Sequence, residues 1–298
     1  MTTAPPITLH RGPGDGLSLH YAACGERGRP LIVFLHGFPE CWWAWEPYLR
    51  EFGRDHFAIA PDTRGINLSD KPAELRDYRA PRVAQDIVAL AELLGYQDFL
   101  LVGHDWGASI AYSLVLAHPQ RVRRLAILNG VHPAVFAREL AQSPAQRNAS
   151  DYINLFRQPD AAQLLTRDGC AYLLDMFADE PGGALPAWLD DEVQGRYLAA
   201  WSQPGAVNGG LNYYRASPLH PAQSDPRAAF LAEPEKLRVP MPTLVLWGER
   251  DRYLLPGCID RLEAFVPQLR VHRQPHCTHW IAHEEPAWVM RRLREHFA

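Results

Sequence analysis

"LLVGHDWGASIAYSLVLAH" (100–118) joins two different periodicities. Its first residues are an unbroken apolar run, as in a strand buried on both faces, and from Gly107 the apolar residues recur at helical spacing. At the joint stands a charge, Asp105, between Gly103 and Gly107. A strand that turns at once into a helix needs small residues flanking the turn, and such a turn holds its middle side chain exposed. The spacing therefore points to Asp105 as a presented nucleophile. The competing reading is a helix cap, worth about 1 kcal/mol. The next backbone N–H, of Trp106, points at the same spot from a helix N-terminus.

The same alternation extends outward. Short apolar runs at 31–35, 56–60, 98–103 and 124–130 are expected as strands. Between the second and third, "VAQDIVALAELLG" sets Val83, Ile87, Leu90 and Leu94 on one helical face and ends at Gly95. Strands alternating with helices imply crossover units and a mostly parallel sheet with helices on both faces. From about Val131 to His220 the pattern changes to aromatic-rich helical stretches without a strand. Strand signals return at 242–248 and 269–273, and "EEPAWVMRRLREHF" (284–297) closes the chain as a helix. The expected organisation is a core of 1–130, a helical insertion of 131–220, and the rest of the core in 221–298.

In an open parallel sheet, ligands bind beyond the carboxyl ends of the strands. Three of those ends carry reactive side chains: Asp105, Asp251 in "WGERDRY" and His279 in "QPHCTHW". The chain order nucleophile, acid, histidine is one arrangement that supports acyl and alkyl transfer. Asn129, directly after residues 124–128 of that strand run, is an amide and leaves Asp251 as the better candidate for the acid.

"HGFPE" (36–40), "PDTRGINLSDKP" (61–72) and "GHDWGA" (103–108), with the late Asp251 and His279, resemble the soluble epoxide hydrolase family of the α/β-hydrolase fold over nearly the whole chain. Haloalkane and haloacetate dehalogenases share these core motifs. The resemblance implies an α/β-hydrolase fold: a mostly parallel central sheet, helices on both faces and an inserted helical cap over 131–220. It implies a cis bond before Pro39 and an oxyanion hole of the Phe38 and Trp106 backbone N–H groups. It also implies two proton-donating cap tyrosines. "SDYINLFRQPDAAQ" (150–163) places the first at Tyr152 and "GGLNYYRASP" (209–218) the second at Tyr214, with Tyr213 as packing. "GIN" (65–67) departs from the Gly-x-Gly usual in that loop.

A carboxylate nucleophile suits an electrophilic sp³ carbon, giving an alkyl–enzyme ester. His279 is then expected to activate water, oriented by Asp251. An alkoxide leaving group needs a proton, which a phenol supplies. The expected activity is conversion of an epoxide to a vicinal diol; the alternative is haloalkane or haloacetate dehalogenase. Against the alternative, Trp106 stands where haloacetate dehalogenases have Arg, and Phe38 stands where haloalkane dehalogenases often have Asn. The fold also hosts binding proteins, but these do not need a complete nucleophile, acid and base.

A net charge of −4 gives no basic surface for nucleic acid or acidic lipid. Five scattered cysteines without a CxxC pair argue against a disulfide framework or a zinc knuckle. The N-terminal residues lack the basic and apolar regions of a signal peptide, and no apolar run is long enough for a membrane span. The expectation is a cytoplasmic enzyme with no cofactor and no metal, whose partners are a small-molecule epoxide and water; a homodimer is left open. His279 and His283 are four apart, but HExxH is absent. His36 and His104 are expected to hold loops, His276 and His283 to be surface or supporting polar groups, and Arg64 and Asp70 to serve in an ion pair or cap. Leu155, Phe156, Trp188 and Trp201 are expected to shape the cavity, and "ECWWAWEPYL" (40–49) to begin a helix.

Overall fold

The computed structural model describes residues 5–221 and 234–298. The first residues of the expected closing core segment, 222–233, and the first four of the chain lie outside the described residues. Among those described, eight strands form one sheet: β1 (Thr8–Pro13), β2 (Ser18–Cys24), β3 (Leu31–Leu35), β4 (Phe57–Pro61), β5 (Phe99–His104), β6 (Val122–Leu128), β7 (Thr243–Gly248) and β8 (Leu269–Gln274). Their order is β1-β2-β4-β3-β5-β6-β7-β8, parallel from β4 onward, with β1 and β2 antiparallel at one edge.

Alternating side chains divide the core between the two faces. Leu31, Val33 and Leu35 of β3 join one apolar cluster and Ile32 and Phe34 the other; Val245 and Trp247 of β7 oppose Leu244 and Leu246 in the same way. Helices cover both faces. On the first lie α2 (Ala80–Leu93) and α3 (Trp106–Ala117). On the second lie α1 (Glu46–Phe52), led in by a 3₁₀ turn over Trp42–Trp45, and the C-terminal α10 (Ile281–Glu284) and α11 (Pro286–Phe297). The closing helix expected over 284–297 is α11, which starts at Pro286 because Glu285, with φ −132° and ψ 52°, is not helical immediately before the proline.

Between β6 and β7, the described residues contain no strand but helical segments α4 (Pro133–Gln142), α5 (Pro144–Ala149), α6 (Tyr152–Phe156), α7 (Ala161–Asp175, interrupted by non-helical backbone at residues 167–170), α8 (Asp191–Trp201) and α9 (Ala206–Ala216). They meet the sheet at its carboxyl edge. The Trp201 indole donates to the carbonyl of Pro39 beyond β3 at 2.6 Å, and the Tyr213 hydroxyl to the carbonyl of Arg64 beyond β4 at 2.8 Å. No helix among the described residues is long and apolar enough to cross a membrane.

The sheet winds one way from β3 to β4 and the other way from β3 to β5. The loops after β3 and β5 therefore part at a topological switch point, where a crevice opens. Leu35 pairs with Gly103 in register, so Gly37 and Phe38 arrive beside Asp105.

Candidate active site

Asp105 sits between β5 and α3 with φ 52° and ψ −119°, a region that L-residues rarely adopt, at a cost of about 1–3 kcal/mol. The flanking glycines make the turn possible. A Cβ on Gly107 would strike the carbonyls of Leu35 and His36, and one on Gly103 would strike the Gly107 carbonyl. The carboxylate makes no capping hydrogen bond to α3. Instead its Oδ1 accepts the backbone N–H of Phe38 at 2.8 Å, across a bare Gly37 whose Cβ would collide with it. The Phe38–Pro39 bond is cis.

Two strands away, the Asp251 Oδ2 lies 2.6 Å from His279 Nδ1, and His279 Nε2 faces Asp105 Oδ2 at 3.6 Å. The imidazole thus stands between two carboxylates. Burial disfavours its charge, but attraction to Asp251 and hydrogen bonding to both acids outweigh burial and raise its pKa to about 10. Asp251 is itself fixed. Its Oδ1 accepts the N–H groups of Tyr253 and Leu254 at 2.8 and 2.9 Å, and its Oδ2 accepts the Asn129 amide at 2.8 Å.

A cavity of about 800 Å³ opens at Asp105. Tyr152 of α6 and Tyr214 of α9 line it, with Trp106 beneath. The two tyrosine rings lie 6.0 Å apart at 78°, and Trp106 meets Tyr214 edge-on at 5.0 Å. Burial, then the Asp105 charge, push the Tyr152 phenol well above its ordinary pKa. Burial, then Tyr152 and Asp105, do the same to Tyr214, opposed by a hydrogen bond with the Trp106 side chain. Both phenols therefore keep their protons across the physiological range. Tyr213 also borders the cavity, but its hydroxyl is taken by the Arg64 carbonyl. Of the seven residues singled out in the sequence, Asp105, Trp106, Tyr152 and Tyr214 line the cavity, while Phe38 and His279 reach Asp105 directly and Asp251 reaches it through His279.

Other expectations fare differently. Phe156 lies behind the cavity wall, edge-on to Tyr214 at 5.1 Å and to Phe38 at 5.7 Å. Trp188 stacks on His283 at 4.1 Å, and the Trp201 indole is held by Pro39. Neither these three nor Leu155 lines the large cavity, because packing and hydrogen bonds hold the larger rings elsewhere. Arg64 forks onto buried Asp86 at 2.6 and 2.7 Å, whereas Asp70 pairs with exposed Arg11 at 2.8 Å, so these are two separate ion pairs. In the "GIN" loop, Asn67 takes the left-handed φ of 43° and its amide anchors to Asp62 at 2.8 Å, a conformation asparagine tolerates.

Two features escape a reading by motif. Asn129, at the end of β6 with φ 32°, clamps the turn after β7: its Oδ1 accepts the Gly248 N–H at 2.8 Å while its amide reaches Asp251. The residue read as the absence of an acid is the one that holds the acid present; its signal is an amide side chain closing a strand beside two reactive strand ends. Behind His279 lies a buried carboxylate, Glu40. It meets His283 at 2.6 Å, the Tyr197 hydroxyl of α8 at 3.0 Å and His104 at 3.1 Å, and His104 Nε2 in turn reaches the His279 carbonyl at 2.9 Å. Burial alone would raise the Glu40 pKa, yet its two histidines hold it well below the usual carboxylate range. Its signal is a charge in "HGFPE" directly after an apolar strand. His276 is exposed. Among the described residues, no cluster of three His, Cys, Asp or Glu side chains is placed to hold a metal.

Comparison with known proteins identifies the family. The α/β-hydrolase fold family matches residues 30–286. The chain is 35% identical over 287 residues to epoxide hydrolase 3 of Mus musculus, covering 95% of this chain and 73% of that one. It is 34% identical to the AB hydrolase superfamily protein YfhM of Bacillus subtilis, over 95% of both. The crystal structure of Bacillus megaterium epoxide hydrolase in complex with an inhibitor superposes with a TM-score of 0.89 at 32% identity, covering 97% of this chain and 99% of that one. Fold, site geometry and relatives agree that the chain is a hydrolase and belongs to the epoxide hydrolase family of the α/β-hydrolase fold.

Proposed function

We propose that the enzyme adds water to an epoxide, giving a vicinal diol, through an ester on Asp105. The observation that carries this reading is an uncapped carboxylate that shares one cavity end with two protonated phenols and lies 3.6 Å from an imidazole. Oδ1 is held by the Phe38 N–H, which leaves Oδ2 to attack a ring carbon. The ring C–O bond breaks, and the oxygen takes a proton from Tyr214, with Tyr152 as the second donor. Asp105 is now a neutral ester, so the His279 imidazolium has lost one of its two carboxylates. Its proton passes to the phenolate, leaving a neutral base. Water gives a proton to His279 Nε2 and adds to the ester carbon. The oxyanion is received by the N–H groups of Phe38 and Trp106; on its collapse the C–O bond to the substrate breaks, the substrate oxygen takes the proton of the added hydroxyl and leaves as the diol, and the Asp105 carboxylate stands again beside the imidazolium formed when water was deprotonated. The sum is epoxide plus water to diol. In this scheme the inserted helices act as a cap that brings the donors to the substrate.

The test is a panel of styrene oxide, haloacetate and a haloalkane, with diol and halide as readouts. Diol from the epoxide is expected; halide release with the epoxide untouched would assign the site to a dehalogenase.

The proton movements predict two further results. Tyr214→Phe slows single-turnover alkylation by on the order of a hundredfold while ester hydrolysis changes far less, because the phenol acts only on the departing oxygen. An unchanged alkylation rate would remove Tyr214 as donor. The second concerns pH. The free enzyme holds His279 up at about 10 partly through Asp105, and the ester removes that contribution. Loss of a stabilising negative charge lowers a histidine pKa. Ester hydrolysis should therefore rise with pH and level off at an apparent pKa below that of the free-enzyme imidazolium titrated by NMR. Coincident values would show that alkylation does not switch the base.

A further inference from the structure

Resting on the assignment of Asp105 as the attacking group, we propose that this enzyme selects terminal epoxides bearing one long apolar arm over isomers with the epoxide in mid-chain. The cavity extends from Asp105 in one direction. Its floor is a single face of α3, where Trp106, Ser109, Ser113 and Leu116 follow one another at spacings of three and four residues, the spacing that keeps side chains on one helical stripe. At a rise of about 1.5 Å per residue, that stripe runs about 15 Å away from the carboxylate. Phe136 of α4 and Ile153 of α6 face it, so the corridor is mostly apolar; Ser109, Ser113 and Ser217, with Arg79 and Lys236, are the polar residues of its lining apart from Asp105 and the tyrosines.

The opposite side of Asp105, past His279, is filled. Phe177 packs on Trp280 at 4.5 Å, on Tyr197 at 5.2 Å and on Trp201 at 6.4 Å between ring centroids, and all four rings are buried. None of them lines the cavity. Close-packed rings yield space only by displacing neighbours, which costs stability. A terminal epoxide can place its ring at the closed end and lay its single arm along α3. A mid-chain epoxide must either drive one arm into the aromatic cluster or fold both arms back into one corridor, and each displaces the ring carbon from Asp105, to which the rate is steeply sensitive.

The experiment compares kcat/KM for propylene oxide, the terminal epoxide of dodecene and the mid-chain epoxide of the same formula, with diol as product. The terminal isomer should exceed the mid-chain isomer by on the order of tenfold or more. In Ser113→Phe, a ring intrudes midway along the corridor, and the ratio of kcat/KM for the terminal dodecene epoxide over that for propylene oxide should fall by on the order of tenfold. Equal turnover of the two dodecene isomers by the unmodified enzyme would overturn the proposal whatever the variant does, as would an unchanged ratio in an active variant. If none of the three epoxides yields diol, the epoxide reading itself falls, and this inference with it; diol from propylene oxide with no preference between isomers removes only the inference.

Discussion

Asp105→Ala is expected to lower diol formation by on the order of ten-thousand-fold or more, with the fold retained. The side chain is partly exposed to the cavity rather than packed, and makes no cap to α3, so its loss leaves no core void and frays no helix. What disappears is the atom that forms the new bond. Without it, the phenols and the imidazole can still polarise an epoxide, but water must attack carbon unaided. The measurement is diol formation together with far-UV circular dichroism. Residual activity within about a hundredfold of the parent would show that the carboxylate is dispensable and that the ester mechanism is wrong, because a covalent nucleophile removed alone costs far more than that.

The second large effect separates the two half-reactions. In His279→Gln the ring that meets Asp251 is gone, but Asp105, both tyrosines and the Phe38 N–H remain. Alkylation should proceed, and ester hydrolysis should slow by on the order of a thousandfold, since no base remains to take a proton from water. The protein would then accumulate one equivalent of ester. Intact-mass spectrometry after exposure to styrene oxide should show the added mass of the epoxide, and peptide mapping should place it on Asp105. Absence of any adduct, with the variant folded, would point to direct attack of water on the epoxide. Glutamine also leaves Asp251 without its cationic partner, so the binding of the substrate should be checked alongside.

Much of the fold is legible because the inner strands are buried on both faces. β3, β4, β5 and β7 read as apolar runs, and the structure moves their ends by a residue or so. β6 stops at Leu128, two residues short of the expected end, because Asn129 turns left-handed to reach Gly248 and Asp251. The hairpin β1–β2 had no such signal. β1 is an edge strand with Leu9 exposed and histidine, arginine, glycine and proline along it, so hydrophobic alternation does not separate it from a loop, and only the Asp15-Gly16 pair that follows marks a turn there. At the site, a strand-to-helix turn betrays itself by its glycines; five residues alone recur by chance, and it is their place between strand and helix, with Asp251 and His279 at two later strand ends, that makes Asp105 legible. Asn129 and Glu40 act through partners distant in the chain, from His104 at 64 residues from Glu40 to His283 at 243, and spacing along the chain carries no record of that. The aromatic residues were ambiguous for another reason: Phe156, Trp188 and Trp201 have the composition of a cavity wall and the placement of packing behind one.

The unusual backbone at Asp105 has one more effect, on heat resistance. Position 105 suits a residue without a side chain better than any other, so among variants already stripped of the carboxylate, the ordinary ranking of alanine over glycine should invert. Asp105→Gly should melt above Asp105→Ala, by a margin equivalent to about 1 kcal/mol. The chain thus keeps aspartate where glycine would sit more comfortably, and a lineage released from its chemistry would be free to drift toward the sturdier residue.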